Sequence, residues 1–428
     1  MLFWRKDRRV MLIGTNLKYA REHNFRIVLE SVRLFGPISR AELARRTGLT
    51  AQTVSNISRG LLEDGLILEG ERKQSGRGAP STHLMLNAAG AYSVGLDLDK
   101  DHLTAVLVDF VGEVRQRMHY ELNFPSPDEA LDLLESTTRQ LIEREGLSRR
   151  QVWGVGVGIP GPLDISEGSV VTNVANPTAF PGWKNVAVAD ILAERLQLPV
   201  VLENNATASA IGERWYGAGQ HVDTFFYVFF GAGLGGGLVV NGHPHEGFFG
   251  NAGELGYCLI PAVYGFEEDN ASEPPHLGLL FNLPMLYRRL EQTGVNVSRP
   301  SELEVLFRAD HPALLNWLDT GARHLAPVLL TIEYLIDPEV IFFGGRLPDA
   351  LLEGLLVRLS DRIPSLRVKD TPNHPRLRIA RAGVDAAAMG VATLPIYTAF
   401  APAPSVLLKT AQGEPASGRL ALRQRGTA

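Results

Sequence analysis

Gln52 and Asn56 lie four residues apart, and each ends in a primary amide, a donor beside an acceptor, the pair that can read the edge of an adenine. Around them stand the hydroxyls of Thr50, Thr53 and Ser55 and the guanidinium groups of Arg40, Arg59 and Arg77, which suit phosphate contacts. Two glycine-rich turns form a second kind of candidate: Gly231-Ala-Gly-Leu-Gly-Gly-Gly237 and Gly344-Gly345. Glycine serves any tight turn, so these glycines also fit plain hairpins, and the amides at 52 and 56 also fit a solvated helix face.

The local pattern decides for the first set. Apolar residues from Phe25 to Leu34 predict a packing helix over 24–35 that Gly36-Pro37 stops. Ser39-Arg-Ala-Glu42 is a capping sequence for a short second helix, with Leu43 and Ala44 inward and an end at Gly48. A third helix opens at Thr50. Its Val54, Ile57, Leu61 and Leu62 share one face, which leaves Ala51, Gln52, Thr53, Ser55, Asn56 and Arg59 outside. Gly65-Leu-Ile-Leu-Glu69 and the basic segment Glu71–Gly78 then read as a hairpin, or wing. Helix, turn, helix and wing together present a short polar helix to a major groove.

Charge follows the same division. The net charge of −5 splits into +7 over residues 1–90 and −12 over the remainder, a basic head on an acidic body, and only the head calls for a polyanion. With 428 residues, 45% of them hydrophobic, the chain exceeds one ordinary core, and two or three domains are expected. A single cysteine, Cys258, excludes an internal disulfide framework and a thiolate-rich zinc site. The basic opening lacks an apolar core of signal-peptide length, and five glycines interrupt the apolar run 225–240, so a soluble cytoplasmic protein is expected.

After Asn87 the pattern becomes that of an α/β body. Strands are predicted within 92–99, 103–109, 152–162, 198–205, 225–230, 238–241 and 337–345, with amphipathic helices at 127–145 and 186–196. Strand ends in such sheets are where ligands gather.

The segment GPISRAELARRTGLTAQTVSNISRGLLEDGLI, followed by SGRGAPSTHLMLN, resembles the DNA-binding end of ROK-family regulators, over residues 24–90. The succession GLDL, GIPGPLD, ANPTAFPGW, ENNATASAIGERWYG, GAGLGGGLVVNG, NAGELGY, DPEVIFFGG and VDAAAMGVA is similar to the ROK kinase fold over residues 91–397. The resemblance implies an N-terminal winged helix-turn-helix, residues 1–88, followed over 89–400 by two ribonuclease-H-like lobes of the actin-like ATPase clan. The lobes divide at about 89–211 and 212–400. The tail 401–428, rich in Ala, Pro, Gly and Ser, reads as disordered.

The resemblance also implies which residues meet a ligand: Asn176, Asn204, Asn205, Glu254 and Tyr257 for a monosaccharide, and Gly231, Gly233, Gly235, Gly236, Gly344 and Gly345 as the remnant of a nucleotide site. Family kinases carry an aspartate where Asn205 stands, and an amide cannot accept the sugar's proton. Their first phosphate loop is replaced by Asp97-Leu-Asp-Lys-Asp-His102, whose acidic side chains are expected to repel phosphates. Tyr257 replaces a histidine of the family's zinc site, the cysteine-rich segment is missing, and no metal or cofactor is expected. In the wing, Arg77 stands without the family's second basic or proline residue.

The expected protein is therefore a DNA-binding regulator, a homodimer or homotetramer on double-stranded operator DNA, with a degenerate kinase domain sensing a monosaccharide and no membrane partner. An active sugar kinase and a ligand-independent regulator remain the alternatives.

Overall fold

The computed structural model describes residues 17–73, 81–161, 163–164, 173–174, 182–183, 186–260, 274–367 and 374–400; Arg77, Asn176 and the expected tail lie outside these residues. Of the described residues, one compact unit takes in those up to 91, 109–113 and 396–400, and the other those within 92–108 and 114–395.

In the first unit α1 spans Leu17–Phe35, earlier in its start than the apolar spacing indicates. Strand β1, Ile38–Ser39, leads into α2, Arg40–Thr47, whose cap is Ser39: the Glu42 amide donates to its hydroxyl at 3.2 Å. Glu42 does not reach back to close a capping box. Its carboxylate instead pairs with Arg45 and, at 2.7 Å, with Arg46. Gly48 ends α2 at φ 70°, the left-handed region where a side chain would be strained. Helix α3, Ala51–Glu63, is capped by Thr50, which accepts from the Thr53 amide at 3.2 Å. Val54, Ser58 and Leu61 face inward against Val28, Val32 and Leu43. Strands β2, Ile67–Lys73, and β3, Ser81–Leu86, complete a three-stranded antiparallel sheet in the order β1-β3-β2.

The second unit holds two five-stranded sheets. The first is built from β4 (Tyr92–Leu98), β5 (His102–Asp109), β6 (Val114–Glu121), β7 (Val152–Ile159) and later β10, with α4 (Pro127–Arg144) between β6 and β7. Two short strands, β8 (Leu163–Asp164) and β9 (Asn173–Val174), pair with each other, and α5 (Val188–Leu196) precedes β10 (Val200–Asn204). The order is β10-β7-β4-β5-β6, with β10, β7 and β4 parallel. Every residue of β4 and β5 is buried, whereas β6 exposes alternate residues as an edge strand does.

Helix α6 (Asn205–Tyr216) leads to the second sheet, whose strands are β11 (Phe225–Phe230), β12 (Leu234–Val240), β13 (His243–Pro244), β14 and β15. Helices α7 (Leu277–Leu280), α8 (Leu283–Glu291), α9 (Leu303–Arg308) and α10 (Pro312–Ile336) come before β14 (Val340–Gly345). Then follow α11 (Asp349–Leu366), β15 (Arg376–Ile379) and α12 (Ala386–Phe400). The order is β13-β12-β11-β14-β15, with β14 parallel to both neighbours. Phe281 stacks on Trp317 with ring centres 4.3 Å apart, and Gly321 leaves the room that ring needs.

The glycine-rich stretch departs from its sequence reading. Gly235, Gly236 and Gly237 are strand residues, paired with Phe229, Val228 and Tyr227, so the turn is confined to Gly231–Gly233. Their lack of a side chain serves close packing: a Cβ on Gly237 would lie 2.6 Å from the Ala206 carbonyl of α6, and one on Gly235 2.8 Å from Ala206 Cβ. Helix α12 returns to the first sheet, where Cβ atoms on Gly95 and Gly156 would overlap the Ala388 and Val391 carbonyls. Where α6 and α12 cross, Gly212 and Gly390 bring backbone against backbone in the same way.

This crossing joins the two sheets through bare backbone, so Gly390→Ala should lower the stability of the second unit by about 1–3 kcal/mol, read as a shift in its urea midpoint. An unchanged midpoint would mean that the helices can separate without cost.

Candidate functional site

The turn after β4, the N-terminus of α6, the β11–β12 turn and the segments 254–257 and 276–282 line a cavity of about 480 Å³. Asn204, Asn205, Glu254 and Tyr257 all line it, so four of the five sugar-site positions converge on one space; Asn176 lies outside the described residues.

Asn204 and Asn205 are set by the start of α6. The Asn204 side chain caps the helix by accepting from the Ala206 amide at 2.8 Å, yet still borders the cavity. Nearby, Glu254 has no side-chain hydrogen bond among the described residues, and burial raises its carboxyl to about 7. A Cβ on Gly161 would overlap Asn204 Nδ2 and lie 2.7 Å from Glu254 Oε1, so glycine keeps the space between these two groups open. Behind them, burial outweighs the bond from the Asn204 amide to Glu203 and lifts that carboxyl to about 8, which leaves it neutral at pH 7.

Asn205 is buried, 4% exposed. Its Nδ2 donates to the Leu98 carbonyl at 3.3 Å, and its Oδ1 has no hydrogen-bond partner among the described residues. The group is thus oriented as a donor toward the first sheet, and it has no basicity to take a hydroxyl proton.

Tyr257 is exposed and its ring centre is 5.5 Å from that of His276, a cavity residue whose Nδ1 donates to the Gly256 carbonyl at 2.8 Å. Asn282, the cap of α8, lines the same wall. His276, Asn282, Asp99 and Lys100 are the polar cavity residues that sequence reasoning did not assign to the site. Lys100 and Asp99 fell within a segment read only for its repulsion, and His276 is brought to Tyr257 from nineteen positions away with no motif to mark it.

The acidic segment is less hostile than its composition implies. Asp97 and Asp99 are buried at 3% exposure each, and burial, with the Asp101 charge, raises Asp99 to about 6. Burial opposes charge on His102 as well, but bonds to Asp101 at 2.7 Å and Asp97 at 3.4 Å outweigh it and hold the ring cationic, raised to about 10. Arg346 pairs with Asp101 at 2.6 Å. Asp99, Asp101 and His102 bring ligand-type atoms within 4.8 Å of one another. A metal ion does not fit there, because the imidazolium and the Arg346 guanidinium already place positive charge at that point.

Of the six glycines read as a nucleotide-loop remnant, Gly233 and Gly235 line the cavity, while Gly231, Gly236, Gly344 and Gly345 do not. Gly345 sits at φ 99°, and Gly344 makes room for the Tyr227 hydroxyl.

In the first unit Gln52, Asn56 and Arg59 are exposed on α3, with Thr53 and Ser55 beside them. Gln52 Nε2 donates to Asn56 Oδ1 at 3.1 Å, which aligns the two amides along the helix. Thr50 spends its hydroxyl on the cap, and Arg40 is held by Glu69 of β2 at 2.7 Å rather than left loose. Arg77 lies outside the described residues.

Two sheets joined by crossing helices around a polar cavity define the actin-like, sugar-kinase type of α/β fold. The chain belongs to the ROK family, whose sequence profile residues 93–397 match. It is 26% identical to the protein y4fQ of Sinorhizobium fredii over 85% of this chain and 88% of that one. It is 30% identical to the xylose repressor of Bacillus spizizenii over 56% of this chain, an alignment that takes in 62% of the repressor's length. A crystal structure of a ROK family transcriptional regulator, described as a homologue of the E. coli MLC protein, has the same fold. Its TM-score is 0.72 at 22% identity, covering 89% of this chain and 98% of that one. Among the described residues no helix is long and apolar enough to cross a membrane.

An aspartate at 205 would turn an oxyanion toward the Leu98 carbonyl or the nearby Asp97, so Asn205→Asp should cost about 1–3 kcal/mol of stability at neutral pH. Burial holds the new carboxyl's pKa above its unfolded value, so the deficit should be small near pH 5 and grow toward pH 8 in denaturant titrations. A deficit equal at both pH values would contradict the orientation given to this side chain.

Proposed function

We propose that this protein is a sequence-specific DNA-binding transcriptional regulator of carbohydrate metabolism, a repressor, whose ROK body senses a monosaccharide or a derivative without phosphorylating it. One observation carries the reading: a single chain joins an exposed, amide-bearing helix to a polar cavity in which Asn205 stands where the family's kinases carry an aspartate.

On this reading residues 1–88 are a winged helix-turn-helix, with α3 in the major groove and β2, β3 and the segment containing Arg77 as the wing. Gln52 and Asn56 read bases; Arg40, Arg59 and Arg77 meet phosphates or the minor groove, and Thr50, Thr53 and Ser55 flank them. Residues 89–400 hold the effector between two lobes, with Asn176, Asn204, Asn205, Glu254 and Tyr257 contacting it. The name of the Bacillus relative, a xylose repressor, supports both the DNA partner and the sugar class.

A homodimer or homotetramer places two heads on a two-fold operator. The sugar changes DNA affinity only through its different affinity for the two arrangements, by about 1–3 kcal/mol in typical coupling. The amide at 205 keeps the body from turning over ATP.

Operator selection from random DNA, with and without a panel of monosaccharides, tests the whole reading. Gln52→Ala and Asn56→Ala should each weaken the selected operator by about 1–3 kcal/mol and leave random DNA nearly unaffected. Arg77→Ala should weaken both, and equal losses from all three would remove the reading role of α3.

The cavity makes a separate prediction. A carboxylate accepts sugar hydroxyls better than a carboxylic acid, and Glu254 has a pKa raised to about 7, so sugar affinity should rise as pH climbs through that value. Glu254→Gln should flatten the calorimetric pH profile, and a profile that keeps its slope would place the titrating group elsewhere.

A further inference from the structure

Asp101 lies at the tip of the β4–β5 hairpin in the first sheet, and Arg346 follows β14 in the second. The carboxylate takes one charged donor on each oxygen: Arg346 Nη1 at 2.6 Å on Oδ2, and His102 Nδ1 at 2.7 Å on Oδ1. Arg346 Nη1 and His102 Nδ1 are themselves 3.0 Å apart. With the imidazole protonated, both groups point donors at the one carboxylate, whose negative charge offsets the repulsion between them.

Both donors are also positioned by groups other than Asp101. The Arg346 amide donates to the Phe230 carbonyl at 2.7 Å, and its side chain is only 12% exposed. Gly345, at φ 99°, sets the backbone turn that aims Arg346 back toward the first sheet, and a Cβ there would overlap the Phe230 carbonyl. His102 is buried at 2% exposure, with Nε2 held toward Asp97. Asp101 is the most exposed of the three groups, with about a third of its side chain open.

We propose that Arg346 and His102 form an oxyanion seat that the chain fills with its own Asp101, clasping the two sheets at this edge of the cavity. The class of ligand that fits the seat is a carboxylate or a phosphate, planar or tetrahedral oxygens meeting a guanidinium and an imidazolium. An external oxyanion and Asp101 then compete for the same donors, and displacement of Asp101 releases the clasp. This inference stands on the second unit alone and does not depend on DNA binding.

Anion rescue separates a seat from an ordinary ion pair. Asp101→Ala should lower the thermal midpoint of the purified full chain by about 3–6 °C. Sodium formate or inorganic phosphate should recover at least half of that loss beyond what sodium chloride of matched ionic strength gives. The double variant Asp101→Ala/Arg346→Met should show no such specific recovery. Formate acting no better than chloride, or acting equally on the double variant, would overturn the seat. Should Asp101→Ala fail to fold in every salt, Asp101→Asn keeps the shape of the side chain without its charge. Amide exchange at Arg346 should then be several-fold faster than in the wild type, and wild-type rates there would also overturn the proposal.

Discussion

The first turn of α6 is the constraint on which the rest of the body depends. Asn204 caps it, Asn205 begins it, and the helix is pinned from both sides by backbone contact, to β12 through Gly237 and to α12 through Gly212 and Gly390. Neither asparagine can relocate without disturbing both sheets. The chemistry of the cavity therefore follows from what these two side chains are: a capping acceptor, and a buried amide whose proton is committed to the Leu98 carbonyl. Such a wall can bind hydroxyls, but general-base transfer needs an acceptor with a suitable pKa, and Asn205 has none.

Electrostatics around that turn are settled by pairing. Asp97 and Asp101 of the acidic run after Leu96 are met by His102 and Arg346, which leaves the cavity with Asp99, Lys100, a half-buried Glu254 and neutral hydrogen-bonding groups. Glu203 and Glu254 both sit where burial favours the protonated acid, but only Glu254 faces the cavity, so only it can trade its proton for a ligand's hydroxyl.

Local rules were legible in the sequence where the physics is local. The caps at Ser39 and Thr50, the left-handed stop at Gly48 and the bounds of β11 follow from side-chain hydrogen bonding and from the run of apolar residues. The convergence of Asn204, Asn205, Glu254 and Tyr257 came through family resemblance, since spacing alone says nothing of positions fifty residues apart. What the sequence hid is tertiary. Gly235–Gly237 look like a turn but serve as a strand beneath α6, and Glu42 chooses two arginines over its own helix start. His276 and Arg346 reach their partners only after folding, as does the counter-charge that disarms the Asp97–Asp101 segment.

The central claim, that this cleft holds a sugar and cannot phosphorylate it, is tested most directly by following ADP in purified wild-type protein with ATP, magnesium and each of a panel of hexoses and pentoses. The account predicts no ADP above the sugar-free background for any of them, including a sugar that binds by calorimetry. Steady ADP formation dependent on one added sugar would contradict it.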